Sequence, residues 1–493
     1  MSTKRRSPGP NPPAILADAV VHIHSAHTSL ARLKALGTFS RERMVDRALC
    51  QFTKHLTVVT YGNSADEELA ATIPPSDWEG ILSCITNDQT LEAARFQASV
   101  PERVAAALAA TDAKSALVYT DQHNGGEVAV QTAALLRARG IHAGLVARAG
   151  YHWSWTVARD TAPHHPLAIA ASAREGDLCR AADVIVATTP RITANLCWQH
   201  RLDPSRVRIV PNFVQPESAV PPFAQREPGT ILVAGRLSPE KRIDLLIRAV
   251  SMATRSNPII KLIVIGDGPE REALVALAES FEAPVEFRPP IPHIQLLGEM
   301  GRCNVYAQPS RFEGHPKTIL EAMAMGAPTL VVRAPGVDDE INPNVTGIVS
   351  GESEADLCAA MLWLVANPEI ARRSGARAAR DIRGRLSFPL VFDKLLESFH
   401  TAMHIAKAHR SDCPPSTPVR WDQTLLNASP DAAAAEFASS LAAFAKRLEP
   451  RTRAIFMDGI AARLGSLPDA DALSLTCSPD ARVLRRTAPA KDL

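Results

Sequence analysis

Short apolar runs alternate along the chain with longer stretches whose apolar residues recur at helical spacing, a pattern that predicts strands each followed by a helix. Ala19 to His24 (AVVHIH) reads as a first buried strand. Leu30 to His55 carries Leu33, Leu36, Met44, Val45, Leu49 and Phe52 near helical spacing, and Leu56 to Tyr61 returns to a strand. The unit then repeats. Ala116 to Thr120 is a strand, the Gly125-Gly126 pair opens a helix to about Ala138, Gly140 ends it, and Ala143 to Arg148 is the next strand. Asp183 to Thr188, a helix over Arg191 to His200, and Val207 to Val210 complete this set, which stops near Asn212.

Residues 215–229 (QPESAVPPFAQREPG) hold four prolines and few large apolar side chains, as a linker would. Alternation restarts beyond them, with strands expected at Thr230 to Ala234, Leu262 to Ile265, Val285 to Phe287, Val305 to Gln308 and Thr329 to Val332, and helices at Glu354 to Ala366 and Pro368 to Phe399. The expected fold class is therefore α/β: two Rossmann-like, doubly wound domains facing across a cleft, with ligands at the carboxyl ends of parallel strands. A disordered arm (1–16), a first domain (17–214), the linker (215–229), a second domain (230–409) and a helical or partly disordered tail (410–493) make up the expected organisation. Within the tail, Ala432 to Leu448 has a patchy helical pattern.

Composition changes this picture little. At 493 residues, 46% hydrophobic and 22% charged, the chain has room for two cored domains and an appendage. No apolar run is long enough to span a membrane, and prolines and charges interrupt the start where a secretory signal would lie, so a cytoplasmic location is expected. The eight cysteines are scattered without a CxxC or a Cys/His cluster, so neither zinc nor a disulfide framework is expected. A net charge of +2 argues against a surface devoted to nucleic acid. Arg32, Lys34, Arg41, Arg43, Arg47 and Lys54 could meet anionic lipid, but Glu42 and Asp46 intersperse them, as on a solvated helix face.

The candidate chemistry centres on RFEGHPKTILEAMAMG, residues 311–326. Pro316 suits a first helical position and Gly326 a helix stop, which puts Glu313 in a loop and Glu321 inside a helix. Carboxylates accept hydrogen bonds from vicinal hydroxyls, and a helix N-terminus favours phosphate, so a sugar joined to a phosphate suits this segment. Upstream, TILVAGRLSPEKRID offers Arg236 and Lys241 beside a turn at Gly235, two cations that would neutralise a diphosphate. LIVIGDGP places Gly266 in a similar strand-to-helix turn without the third glycine of a dinucleotide fingerprint.

These three segments, in order over about residues 230–350, resemble the donor domain of retaining family 4 glycosyltransferases (group 1, GT-B fold), whose signature is two glutamates separated by seven residues. The resemblance implies transfer from a nucleoside-diphosphate sugar with retention, without a metal or other cofactor. It implies Glu321 on the ribose, Glu313 on the donor-sugar hydroxyls, and Arg236 and Lys241 on the diphosphate. Gly235, Gly266, Gly314, His315, Pro316 and Lys317 complete the donor set, with Glu313, Arg236 and Lys241 as the catalytic candidates. The expected acceptor is a glycan, a lipid-linked sugar or a small molecule, with peripheral membrane contact and no nucleic acid.

Four departures from the family pattern stand out. HSAHTSLARLKALG lacks the glycine pair that follows the first strand in many members, and the histidine expected after ARAGYHW leaves Arg148, Gly150 and His152 as alternatives. In VPNFV, Phe213 replaces a common glycine, and EFRPPIPH has prolines where a glycine usually lies beside the base. His123, at a strand end, is a third acceptor-side candidate with Arg148 and His152; a structural role fits it as well. Two other activities remain open: a nucleotide-sugar epimerase and a nucleotide-sugar binder without turnover. No complete GxGxxG follows a strand, which disfavours an NAD enzyme.

Overall fold

The computed structural model describes residues 15–25, 28–87, 93–120, 126–161, 165–215, 226–408, 473–478 and 481–486. Two parallel sheets organise the chain. The first is built from β1 (Ala19–Ile23), β2 (His55–Val59), β3 (Ile81–Ile85), β4 (Ser115–Thr120), β5 (His142–Ala149), β6 (Val184–Ala187) and β7 (Val207–Ile209), in the order β3-β2-β1-β4-β5-β6-β7. The second comprises β8 (Glu227–Ala234), β9 (Lys261–Ile265), β10 (Val285–Arg288), β11 (Cys303–Gln308), β12 (Thr329–Val332) and β13 (Ile348–Ser350), in the order β10-β9-β8-β11-β12-β13. In both, the first strand in sequence lies inside the sheet and the order reverses beside it, which opens a crevice at the carboxyl ends of the neighbouring strands.

The central strands are apolar on both faces, so helices must cover both. β1, β6 and β12 are buried throughout. The edge strands β3 and β13, absent from the sequence expectation, are half exposed and carry short or mixed runs that periodicity does not single out. Leu30 to His55 is not one helix. It breaks into Leu30–Ala35 and Phe39–Leu49 at Gly37, whose φ of +73° suits a residue without a side chain.

The C-terminal helices correct the expected division of labour. Pro368–Leu386 packs on the second domain, but the chain turns at Ser387 and Phe388–Ala408 returns across β5 of the first sheet. Val391, Phe392, Leu395, Phe399, Ala402 and Met403 join the core of the first domain, where they pack with Leu117, Tyr119, Val146 and Val184. In the tail, the described residues form an antiparallel pair, β14 (Leu473–Ser478) and β15 (Ala481–Arg486), rather than a helix; Ala432 to Leu448 lies outside the described residues. None of the described helices is long and apolar enough to cross a membrane.

Candidate active site

β11 delivers the site. It is buried from end to end, and its last residue, Gln308, lies at the carboxyl edge where the loop to the Lys317–Ala324 helix begins. Pro316 caps that helix without a side-chain hydrogen bond, so its first N–H groups remain available. Glu313 Oε1 accepts from Lys241 Nζ at 2.6 Å and from Gln308 Nε2 at 2.7 Å. Two residues expected to touch different parts of one ligand therefore hold each other across the gap from β8 to β11.

A cleft of about 370 Å³ runs between the two domains. Glu313, Gly314, His315, Pro316 and Lys317 line it from the second domain, and Ser25, Thr28, Leu33, Glu42, Arg148, Gly150, Tyr151 and Asn212 line it from the first or its end. His315 is fixed on both sides. Its Nδ1 accepts from the Asn212 backbone N–H at 2.9 Å, so the ring carries its proton on Nε2, which faces Glu340 Oε1 at 3.3 Å. Asn212 Nδ2 donates back to the His315 carbonyl at 2.7 Å, and Arg148 Nη2 donates to Asn212 Oδ1 at 3.0 Å. Burial pushes the Glu340 carboxyl up, but His315 and Arg385 outweigh it and hold it down to about 2.

Lys317 Nζ meets Glu42 Oε1 of the first domain at 2.7 Å. Burial disfavours the charged form of both. For Glu42, the cations Lys317, Arg41 and Arg148 overcome it and hold the carboxyl well below the usual carboxylate range, while Lys317 itself is pushed down from the usual lysine value by burial. The charges at this end of the cleft belong to one network of first- and second-domain groups.

Glu321 is buried and does not line the cleft. Its Oε1 accepts from Arg41 Nη1 at 2.9 Å and from His293 Nε2 at 3.0 Å. Burial pushes its carboxyl up, and Arg41 with His293 more than compensates, leaving it below its ordinary value. Arg41 thus lies buried between domains rather than on a solvated face, and Asp46 on the same helix is buried too, which corrects the sequence expectation for this stretch. Arg41 is covered by the second domain through Glu321, whereas Asp46 is held within the first by His22 and Tyr119.

The remaining candidates separate. Arg236 is 69% exposed on its side chain and pairs with Glu240 at 2.9 Å, outside the cleft lining. Gly235 and Gly266 end β8 and β9 against each other: a side chain on Gly266 would meet the Gly235 carbonyl oxygen at 1.9 Å. Of the acceptor-side candidates, Arg148 lines the cleft and His123 lies outside the described residues. His152 does not line the cleft. It packs in a buried cluster, its Nε2 at 3.3 Å from Glu175 Oε2, which His200 Nε2 approaches at 3.0 Å. This cluster and the His22, His24 and Asp46 group have the side chains of a metal site, although the sequence suggested none, because they come from separate elements. Neither group lines the cleft.

The sequence reading missed Gln308, Asn212, Glu42, Arg41 and His293 as site residues. Gln308 and Asn212 carried one usable signal, a polar side chain at or just past the end of a parallel strand. The other three carried none, since what they touch is distant in sequence.

Residues 215–381 match the family of glycosyl transferases group 1. The match covers the linker and most of the second domain. The chain is 28% identical over 245 residues to the D-inositol 3-phosphate glycosyltransferase of Segniliparus rotundus, a stretch that covers 46% of this chain and 54% of that protein. It spans about half the length of the curated relatives it matches first. Among solved structures, sucrose-phosphate synthase from Thermosynechococcus elongatus superposes with a TM-score of 0.61 at 18% identity, over 76% of this chain and 97% of that one. Anabaena HepE in complex with UDP-glucose superposes with a TM-score of 0.58 at 15% identity, over 77% and 98%. The two-sheet GT-B architecture is shared with these glycosyltransferases.

Proposed function

We propose that the protein is a glycosyltransferase that moves a sugar from a nucleoside-diphosphate donor to an acceptor hydroxyl, with retention and without a metal. The observation that carries this reading is Glu313, held by Lys241 and Gln308 at the carboxyl edge of the second sheet, beside an open helix N-terminus and across a cleft from Arg148. The family match over the second domain and the UDP-glucose complex of a structural neighbour support it.

In this reading Lys241 exchanges Glu313 for the donor diphosphate, and the freed carboxylate takes the sugar hydroxyls. Lys241 and the N–H groups at the start of the Lys317–Ala324 helix stabilise the charge that grows on the departing phosphate. The acceptor hydroxyl attacks the anomeric carbon on the face that the diphosphate leaves, and its proton passes to the departing phosphate oxygen. Arg236 supplies charge from the rim, and Glu321 serves the ribose. The first-domain wall, with Arg148, Ser25 and Thr28, receives the acceptor, a glycan or a lipid-linked sugar brought by peripheral contact with a membrane on the cytoplasmic side.

Calorimetric titration with UDP, GDP, ADP and their common sugars tests the donor half. One nucleotide should bind, and Lys241→Ala should weaken it by roughly 1.5 to 3 kcal/mol, about 10- to 150-fold. Equal binding by parent and variant would refute this placement. The missing glycine pair after the first strand favours a second reading, a nucleotide-sugar binder without turnover. Product analysis with a labelled sugar separates the two, since a transferase yields a glycosylated acceptor and a binder returns intact donor.

A further inference from the structure

Three stretches at or beside this chain's departures from the family pattern converge on Arg41 and Glu321. The segment after β1, which lacks a glycine pair, leads through the Leu30–Ala35 helix to the Phe39–Leu49 helix that carries Arg41. VPNFV brings Phe213, and RPPIPH brings His293. Arg41 Nη1 and His293 Nε2 both donate to Glu321 Oε1, at 2.9 and 3.0 Å. Arg41 Nη2 donates to the Phe213 carbonyl at 2.6 Å while its guanidinium carbon sits 4.9 Å from the Phe213 ring centroid. The backbone closes the same gap, with His293 N–H donating to the Gly37 carbonyl at 3.1 Å. The Arg41 and Glu321 side chains are each 5% exposed.

We propose that Arg41 gates the nucleoside end of the cleft: it holds Glu321 in the empty protein, and a nucleoside diphosphate binds only when the Phe39–Leu49 helix withdraws and frees that carboxylate. This rests on the glycosyltransferase reading, in which Glu321 receives the ribose. Both bonds fall on Oε1 and leave Oε2 able to accept, but the buried Arg41 side chain covers the carboxylate, so vicinal hydroxyls reach Glu321 only once the arginine moves away. Two further contacts join the same two domains. Glu42, next to Arg41, pairs with Lys317, and Arg191 Nη2 pairs with Asp339 Oδ1 at 2.8 Å. Separation of the domains breaks these pairs where water can hydrate the released charges, so opening is accessible but reduces apparent affinity by the fraction of open protein.

The test compares parent, Arg41→Ala and Phe213→Gly by calorimetry and stopped-flow with UDP, GDP and ADP, after circular dichroism confirms that each is folded. The gate predicts that the nucleotide the parent binds is bound at least about tenfold more tightly by Arg41→Ala, mainly through faster association. Phe213→Gly, which removes the ring under the guanidinium and leaves Glu321 intact, should shift affinity in the same direction and decides the matter if Arg41→Ala does not fold. If the parent binds and the variants bind equally or more weakly, the gate is wrong and the glycosyltransferase reading stands, with Arg41 as an aid to binding. If neither parent nor folded variants bind any of the nucleotides, both readings fall.

Discussion

At Gly266 the close approach of two strand ends decides the residue. With φ at +152° and the Gly235 carbonyl in the path of any Cβ, no other residue fits without moving the backbone. Gly266→Ala should destabilise the second domain by more than about 1 kcal/mol in urea titration, because alanine would meet both strain and a backbone clash. A loss of nucleotide binding with unchanged stability would instead assign that glycine to the ligand. The sequence flagged Gly266 through its strand-to-helix turn, and the reason is visible only in the packing of β8 against β9. Lys241 and Glu313 were legible as a pair of opposite charges in separate motifs. Their salt bridge was not, since each was expected to face substrate.

Among the elements, the Phe388–Ala408 helix matters most to how the domains are joined. It follows the second domain in sequence, yet Phe399 is fully buried in the first, 5.3 Å between ring centroids from Tyr119, and His142 Nε2 hydrogen-bonds the Met403 carbonyl at 2.9 Å. Phe399→Ala should cost about 3 to 5 kcal/mol, the usual range for a large aromatic removed from a core. The loss should appear in unfolding of the first domain, followed by hydrogen exchange at β4 and β5, and protection retained there would show that the helix is dispensable to that sheet. The helical period of this segment was plain in the sequence. Which sheet it covers was not, because an amphipathic helix carries no address beyond its apolar face.

Across the whole molecule, a polar chain, Arg148–Asn212–His315–Glu340–Arg385, joins the domains beside the aromatic contact of Trp155 with Phe312. Glu340 makes this chain sensitive to acid. Its carboxyl is held down to about 2 from an ordinary value of 4.5, so the folded protein binds a proton there less readily than the unfolded chain does. Its contribution to stability is complete above the unfolded value and is lost as pH falls from there toward about 2. The stability difference between parent and Glu340→Gln should therefore shrink over that window in urea titrations at stepped pH. A difference that stays constant would mean that Glu340 is not held ionised by its neighbours.

Most of the strands, the restart of alternation after the proline-rich segment, and the loop and helix that carry Glu313 and Glu321 followed from the sequence alone. Burial on both faces of a parallel strand and the chemistry of Pro, Gly and helix starts are local properties, and they leave local marks. Only the tertiary structure decided that Leu30 to His55 breaks at Gly37, that Arg41 turns inward onto Glu321, that His152 joins Glu175 and His200 rather than the cleft, and that the last helix returns to the first sheet. Each of these depends on a partner tens to hundreds of residues away. Charge, burial and shape at such a contact are properties of the pair, and neither stretch of sequence carries them by itself.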